Sequence, residues 1–268
     1  MAEKVYSIYS NEVIEGNQQL AVELGNNYIA LVLGTASKIA GFEYYESVDN
    51  DLAELLDHIK QDSQLLDTNY SETRLYYNLP ESVLVPVGQF NTSIASELVD
   101  VAFGVAKEGR INVENVNIQP GIVNVYRSSE EWQQLINQYF RAVTKRHLIS
   151  KLIEQTSAEG LKVQFYKDQM IVVAKRNDQL QLARSIGFST EEDAVYHLLN
   201  ICKQTAIDPV EAMIEVSGSI AEDSKALEFI RKYFATVKLQ HPATSILSQQ
   251  SFSKYPLHYF TPFFNLLS

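Results

Sequence analysis

The chain is poor in cysteine and in basic residues. Its single cysteine, Cys202, excludes an internal disulfide and a zinc site built from cysteines. Its 22 Lys and Arg residues are outnumbered by 33 Asp and Glu residues, which gives a formal net charge of −11. Because nucleic-acid binding relies on clustered basic side chains, this charge balance argues against a nucleic-acid partner. The densest basic stretch, residues 141–151, is more typical of a solvated helix face than of a phosphate-binding patch.

The sequence also lacks the marks of membrane insertion and of metal binding. No segment approaches the roughly 18 consecutive apolar residues that a membrane-spanning helix requires. The opening residues Met1-Ala2-Glu3-Lys4 do not form the apolar part of a signal peptide, so we expect a cytoplasmic protein. The five histidines show neither helical pairing nor a neighbouring acid cluster of metal-ligand spacing, and we therefore expect no metal site.

What the chain does contain is a run of three short strands that occurs twice. The predicted strands are 19–24, 28–34 and 38–44 in the first copy, and 161–167, 169–174 and 179–188 in the second. Each triplet is followed by an amphipathic helix, a strand and another helix, at a nearly constant offset between the copies. A structural duplication explains this regularity better than an unrelated series of elements. It predicts two stacked lobes with a cleft between them.

Helix and strand signals fill in the rest of the predicted α/β pattern. Residues 51–66 carry leucines and an isoleucine at helical spacing, and Ser189 precedes Glu192 by the spacing of a capping box. Residues 121–127 are predicted to form the fifth strand of the first half, and residues 1–18 an irregular lead-in or an edge strand. The remaining predicted elements are strands at 74–79, 211–216 and 235–239 and helices at 92–104, 128–140, 189–206 and 224–234.

Three short segments resemble a known family. They are residues 20–34 (LAVELGNNYIALVLG), 188–199 (FSTEEDAVYHLL) and 214–219 (IEVSGS). The chain resembles an uncharacterised bacterial family, found mainly in Bacteroidetes, whose members have an actin-like ATPase fold. This resemblance implies an α/β protein with two ribonuclease H-like lobes, as in the Hsp70 and sugar kinase superfamily. Each lobe is expected to contain a mixed five-stranded sheet, the first lobe in residues 1–150 and the second in residues 151–268.

The resemblance also implies where a nucleotide with magnesium would bind. Actin-like ATPases hold the phosphates on two β-hairpin turns, and the first turn corresponds to Glu23, Gly25, Asn26 and Asn27. Glu23 takes the place of an aspartate that organises a hydrated magnesium ion, and Gly25 would let backbone N–H groups approach the phosphates. The longer glutamate still reaches a metal-bound water, but it crowds a phosphate. The same Gly-Asn-Asn sequence is also typical of a plain hairpin turn.

The second phosphate turn and the adenosine-binding segment depart further from the pattern that the fold implies. The second turn contains Lys167 and Asp168 but no glycine, so it reads either as a phosphate contact or as an ordinary hairpin tip. The adenosine segment corresponds to Ser217, Gly218 and Ser219, with one glycine where the fold normally has a pair. These residues form either a remnant of the adenosine site or a strand-to-helix turn.

Residues 252–268 are rich in aromatic side chains. The aromatic residues are Phe252, Tyr255, Tyr259, Phe260, Phe263 and Phe264. So many aromatic side chains are seldom left in water. We expect this C-terminal region either to fold back as a closing helix across the lobes or to contact a protein partner or a second copy of the chain.

These features together predict an actin-like fold whose nucleotide motifs are degenerate. Such a protein would serve as a binding or assembly module, with no certain cofactor and no catalytic residue assigned. The alternative is a weak ATP-binding protein or ATPase that uses Glu23, Gly25, Asn26 and Gly218 in the cleft between the lobes. A ribonuclease needs several cleft carboxylates to hold two metal ions, and only Glu23 and Asp168 qualify.

Overall fold

The structure is a computed structural model that describes residues 2–10, 14–49, 51–106, 108–140, 143–157, 159–242, 252 and 254–268. Its strands and helices form two α/β lobes that share a hydrophobic core, in agreement with the predicted duplication. Within the described ranges, no helix is long and apolar enough to cross a lipid bilayer.

The two large sheets repeat the predicted order of three antiparallel strands followed by parallel ones. Each run of three strands pairs as an antiparallel meander, and the strand after the next helix joins it in parallel. The strands are β1 (Ala2–Tyr9), β2 (Gln19–Leu24), β3 (Tyr28–Thr35), β4 (Lys38–Ser47), β5 (Thr73–Tyr77), β6 (Ser82–Pro86), β7 (Arg110–Val116), β8 (Ile122–Ser128), β9 (Val143–His147), β10 (Gly160–Phe165), β11 (Gln169–Arg176), β12 (Gln179–Gly187), β13 (Met213–Gly218) and β14 (Thr236–Leu239).

Of the helices in the described residues, α1, α3, α4, α5 and α6 begin at polar capping side chains, whereas α2 and α7 do not. The capping box of the longest described helix is formed by Thr190 and Asp193, which exchange hydrogen bonds between side chain and backbone. The predicted pair, Ser189 and Glu192, is therefore wrong by one residue. The helices are α1 (Leu52–Asp62), α2 (Ala95–Phe103), α3 (Glu130–Tyr139), α4 (Leu148–Gln155), α5 (Glu191–Thr205), α6 (Lys225–Tyr233) and α7 (Thr261–Phe264).

The first sheet has six strands in the order β1-β4-β3-β2-β5-β9, one more than expected. The extra strand is β1, which pairs with β4 at the edge of the sheet, so the edge-strand interpretation of residues 1–18 is confirmed for its first part. Side chains of β2 and β3 alternate between the two faces of the sheet. One face packs against α1 and α3, and the opposite face meets the second lobe.

The second sheet has the predicted five strands, in the order β12-β11-β10-β13-β14. Its outer face packs against α5 and α6 and forms a core of its own. Its inner face contributes Tyr166, Ile171 and Val173 to the core between the lobes. The alternation of β10 and β11 therefore decides which side chains the second lobe presents to the first.

A third, three-stranded antiparallel sheet with the order β6-β8-β7 is inserted in the first lobe. The predicted role of residues 121–127 as the fifth strand of the first large sheet is wrong, because they form β8 of this small sheet. The fifth strand is β9, which pairs in parallel with β5. Val123 and Val125 of β8 pack against Val99 of α2, and this small separate core holds β8 away from the large sheet.

The basic stretch at residues 141–151 is not a solvated helix face, because its described part forms β9 and the start of α4. Arg146 is ion-paired on both sides. Its Nε lies 2.7 Å from Oε1 of Glu114 in β7, and its Nη2 lies 2.8 Å from Oε1 of Glu154 in α4. Arg146 thus links β7 of the small sheet to α4, the helix that precedes the strands of the second lobe. Arg141 lies outside the described residues.

The C-terminal region folds back across both lobes, as one of the two predictions for it required. The expected closing helix is short: α7 is flanked by single turns of 3₁₀ helix at Leu257–Tyr259 and Asn265–Leu267. The hydroxyl of Tyr76 in the first lobe donates to the carbonyl of Leu266 at 3.3 Å. The C-terminal side chains buried in the core between the lobes are Phe252, Phe260, Phe263, Phe264, Leu266 and Leu267.

Candidate functional site

Glu23 lies on the inner face of β2, in the core between the lobes. Its neighbours Val22 and Leu24 point to the opposite face and pack in the core beneath α1 and α3. The Glu23 side chain is fully buried, with 0% of its surface exposed. The alternation of β2 therefore takes a carboxyl group out of water, which is costly unless the group is neutral or hydrogen-bonded.

Tyrosine and asparagine side chains surround the Glu23 carboxyl group. The hydroxyl of Tyr28 donates a short hydrogen bond to Oε1 of Glu23. The amide of Asn78, which directly follows β5, donates to the same oxygen at 3.2 Å and to the Tyr28 hydroxyl at 2.6 Å. Among the described residues, Oε2 of Glu23 and the hydroxyl of Tyr166 have no hydrogen-bond partner of normal geometry. The carboxyl group thus has partners on one oxygen only.

Burial raises the pKa of Glu23 to about 7, because the charged form loses its hydration. The neighbouring Tyr28, Tyr166 and Asn78 side chains act in the opposite direction and lower this pKa, but they offset the burial only in part. The Tyr166 hydroxyl lowers the pKa of Glu23 because it faces the carboxylate, although the contact does not have the geometry of a normal hydrogen bond. Near neutral pH the carboxyl group is therefore close to the midpoint of its titration.

The two hairpin turns that would hold phosphates meet through stacked tyrosine rings. Tyr28 follows the first turn and Tyr166 begins the second, and their ring centroids are 5.7 Å apart with an interplanar angle of 24°. On its other side Tyr28 stacks against Tyr44, at 5.2 Å and 20°. The order Tyr44, Tyr28, Tyr166 places two rings from the first lobe against one from the second. These rings occupy the space between the turns.

Gly25 in the first turn lies directly against the Tyr28 ring. A Cβ atom added at Gly25 would be 2.1 Å from Cε1 of Tyr28, so only glycine leaves room for this ring. The other predicted residues of the turn point elsewhere: Asn26 is exposed, and the carbonyl of Asn27 accepts a hydrogen bond from the backbone N–H of Ser47 at 2.8 Å. The open side of the glycine, which would face a phosphate, is thus taken by the protein's own side chain.

In the second turn, Lys167 is exposed and reaches the first lobe. Its Nζ lies 3.0 Å from Oε2 of Glu46 in β4, which makes an ion pair between the lobes. Asp168 is also exposed, and its backbone carbonyl accepts a hydrogen bond from the N–H of Phe188 at 3.0 Å. The structure therefore places both predicted side chains at the surface of the turn, with Lys167 at the boundary between the lobes.

Gly218, at the end of β13, is required by the close approach of the neighbouring strand. Its φ of +89° lies in the left-handed region, and an added Cβ would be 2.1 Å from the carbonyl oxygen of Phe165. The backbone N–H of Ser219 donates to that same oxygen at 2.8 Å. The hydroxyl of Ser217 is buried without a hydrogen-bond partner among the described residues, and Ser219 is exposed. Packing of β10 alone accounts for the surviving glycine.

A small cavity remains between the lobes, with a volume of about 140 Å³. Pockets for drug-sized ligands are typically about 300–1,000 Å³, so this space is too small for a nucleotide. Of the predicted site residues, only Lys167 and Ser219 line it. Its walls are Val5, Tyr6, Phe42, Tyr44, Glu46, Phe165, Tyr166, Lys167, Ser219, Tyr259, Phe260 and Phe263.

The sequence prediction missed the residues that fill the site, namely Tyr28, Tyr44, Tyr166 and Asn78. One signal was available, because strand alternation puts Glu23 and Tyr166 on inner faces of their sheets. No local signal indicates that rings from separate lobes would stack. Within the described part of the chain, no group of three or more His, Cys, Asp or Glu side chains has the arrangement of a metal site.

The paired meanders, their crossover strands and the two facing hairpin turns define an actin-like ATPase fold. The chain is similar to a protein of unknown function with that fold from Bacteroides thetaiotaomicron, at 16% identity and a TM-score of 0.71, over 84% of this chain and 91% of the other. It is also similar to a structure of the PilM–PilN type IV pilus biogenesis complex, at 12% identity and a TM-score of 0.61, over 93% and 96% of the two chains.

The chain belongs to the family described as Protein of unknown function (DUF3822), whose model matches residues 10–237. The expected family resemblance and fold class are therefore confirmed. No curated protein matches the chain. At these low identities the similar structures establish the fold and leave the activity to be argued from the site.

Proposed function

We propose that this protein is a binding or assembly module with an actin-like fold and that it does not bind or hydrolyse nucleotides. The observation that supports this most directly is the stack of Tyr28 on Tyr166 between the two hairpin turns. Phosphates would have to displace both rings and would then lie beside the buried Glu23. A buried phosphate next to a carboxylate, without a cation, is strongly unfavourable.

A protein-binding role fits the same fold in a similar structure. The PilM–PilN structure is a complex, so an actin-like fold occurs there in an assembly with a second protein. In the present chain a filled cleft would hold the two lobes in one arrangement, which suits a scaffold with a constant surface.

Thermal unfolding with and without nucleotide tests this proposal. We expect no change in Tm with ATP, ADP or GTP at millimolar concentration with magnesium, and no release of phosphate from ATP. A bound nucleotide at a hundred times its dissociation constant would add about 2.7 kcal/mol to the free energy of unfolding. Magnesium-dependent hydrolysis that Glu23→Ala abolishes would instead establish the alternative, a weak ATPase in the cleft.

The partner of such a module would contact surface that the fold leaves exposed. We propose that a protein partner or a second copy of the chain contacts the C-terminal region through Tyr255, which is 38% exposed while most neighbouring rings are buried. A second exposed apolar surface lies at the C-terminal end of α2, where Val101 in the helix and Val105 just after it are 88% and 85% exposed.

Light scattering after size exclusion tests this contact for self-association. If a second copy binds through Tyr255, Tyr255→Asp shifts the protein towards the monomer, whereas Val101→Asp leaves the mass unchanged. The reverse pattern would move the contact to the end of α2. A wild-type protein that is monomeric at all concentrations would rule out self-association and leave a different protein as the partner.

A further inference from the structure

The small cavity between the lobes is lined by eight aromatic residues. Its 140 Å³ compare with about 150 Å³ for an apolar cavity that binds benzene, so it can hold a group of similar size. The cavity opens to solvent on the side of Val5 and Lys167. Val5 is 40% exposed, and Lys167 is also an exposed residue. The aromatic residues that line it are Tyr6, Phe42, Tyr44, Phe165, Tyr166, Tyr259, Phe260 and Phe263.

These rings are held in place before any ligand arrives. Tyr6 meets Tyr44 edge to face with centroids 5.9 Å apart, and Tyr44 meets Phe263 in the same manner at 5.7 Å. Phe263 in turn meets Tyr166 at 6.3 Å. Because each ring is fixed by contact with the next, ligand binding would cost little conformational entropy of the side chains in the site.

The electrostatic surroundings of the cavity are negative. Burial raises the pKa of Tyr44 well above its usual range, and the charges of nearby carboxylates raise it further. Burial likewise raises the pKa of Tyr259, again with a contribution from carboxylates. The carboxylates whose charges reach these two tyrosines from outside the buried core are Glu46, Asp168, Glu222 and Asp223. Lys167 is the cation that lines the cavity among the described residues, and Glu46 is its ion-pair partner.

We propose that this pocket binds the head of a small alkylammonium cation, such as a quaternary ammonium group. Aromatic rings attract a cation through the negative charge on their faces, and surrounding carboxylates add to this attraction. A neutral ligand would gain nothing from the carboxylates, and an anion would be repelled by them. The assignment rests on the proposed function, because it requires a cleft without nucleotide.

Choline and its neutral isostere 3,3-dimethylbutan-1-ol test the assignment in the full-length protein. We expect choline to bind and its methyl proton resonance to move upfield, because ring currents act on a group seated between aromatic rings. The neutral isostere, which has the same shape without the charge, is expected to bind at least about fivefold more weakly. Equal affinity for the two compounds, or no binding of choline at millimolar concentration, would overturn the proposal.

Two substitutions at the mouth of the pocket give opposite results if the ligand is a cation. Glu46→Gln removes a carboxylate and should weaken choline binding about fivefold, whereas Lys167→Met frees that carboxylate and should strengthen binding about threefold. Both side chains lie at the boundary between the lobes, so the variants are expected to fold, and circular dichroism verifies this. A change of the same sign in both variants would contradict the charge argument.

Further titrations identify the source of the cation and separate the two proposals. A peptide containing trimethyllysine that binds more tightly than choline would indicate a cation carried by a protein. Tighter binding of choline would indicate a free small molecule. Stabilisation by ATP without any binding of choline would overturn both proposals, whereas the absence of binding by either ligand would overturn only this one.

Discussion

Tyr28 stacks on Tyr166 across the boundary between the lobes, with ring centroids 5.7 Å apart. The first residue begins β3 immediately after one hairpin turn, and the second lies at the start of the corresponding turn of the other lobe. The resemblance to actin-like ATPases implies a nucleotide between these two turns, and here the two rings make the contact directly. The aromatic pair therefore connects the two halves of the duplication directly.

Replacing Tyr166 tests how much this pair stabilises the fold. Tyr166→Ala removes a buried ring and should lower the free energy of unfolding by about 3–5 kcal/mol. Tyr166→Phe keeps the ring and removes a buried hydroxyl that lacks a normal hydrogen bond, so it should change the stability by less than about 1 kcal/mol. Urea unfolding measures both variants. Equal losses in the two variants would mean that the hydroxyl, and not the stack, stabilises the contact.

Glu23 should make the stability of the protein depend on pH. Its pKa is raised to about 7 in the folded state from an ordinary value of 4.5, so the folded state binds the proton more tightly than the unfolded state. The stabilisation is therefore complete below the unfolded pKa and is lost as pH rises through about 7, by a few kcal/mol in total.

The comparison with Glu23→Gln isolates this contribution. The wild-type protein should lose more stability between about pH 5 and pH 8 than the glutamine variant, which has no proton to release. The exposed Glu97→Gln serves as the control and should follow the wild-type profile. Parallel profiles for the wild type and Glu23→Gln would show that Glu23 does not titrate in this range.

Gly218 should be needed for folding, whether or not any ligand is present. Gly218→Ala puts a methyl group in a residue with φ of +89° and against the carbonyl of Phe165, and it should cost at least about 1–3 kcal/mol. Gly88→Ala is the matched control, since an added Cβ there meets no atom within 4 Å. Thermal unfolding compares the two variants, and a loss at Gly218 no larger than that at Gly88 would refute the packing explanation.

The C-terminal aromatic residues should differ in their effect on stability according to their burial. Phe264→Ala removes a ring that is 1% exposed in the core between the lobes and should cost about 3–5 kcal/mol. Tyr255→Ala changes a ring that is 38% exposed and should cost clearly less. Urea unfolding measures both losses. A larger loss for Tyr255 would mean that its edge contacts with Tyr6 and Phe260 matter more than burial.

The strands of the two meanders were predictable because period-two alternation is a local property of the sequence. Leu20, Val22 and Leu24 face the helices and Glu23 faces inward, as alternation in β2 requires. The fifth strand of the first sheet was missed because β9 (VTKRH) is mostly polar. Its membership depends on pairing with β5, which lies far away in the sequence.

The small sheet and the filled cleft were beyond local sequence signals for a related reason. Val123 and Val125 have the alternation of a strand wherever that strand pairs, and only the contact with α2 assigns β8 to a separate sheet. Likewise, Gly25 has the same sequence context whether a phosphate or the Tyr28 ring lies against it. What occupies the cleft depends on contacts between the lobes, which join residues far apart in the sequence.

An aromatic side chain attached to the backbone is an occupant that cannot diffuse away. The Tyr28 ring is held beside Gly25 by the chain itself and does not have to be supplied from solution. Under the proposed function, a lobe arrangement held in this way would not respond to the supply of ATP in the cell. In an actin-like protein that turns over nucleotide, the arrangement of the lobes would last only as long as the nucleotide is bound. In this protein the covalently attached ring would keep the lobes in one arrangement permanently.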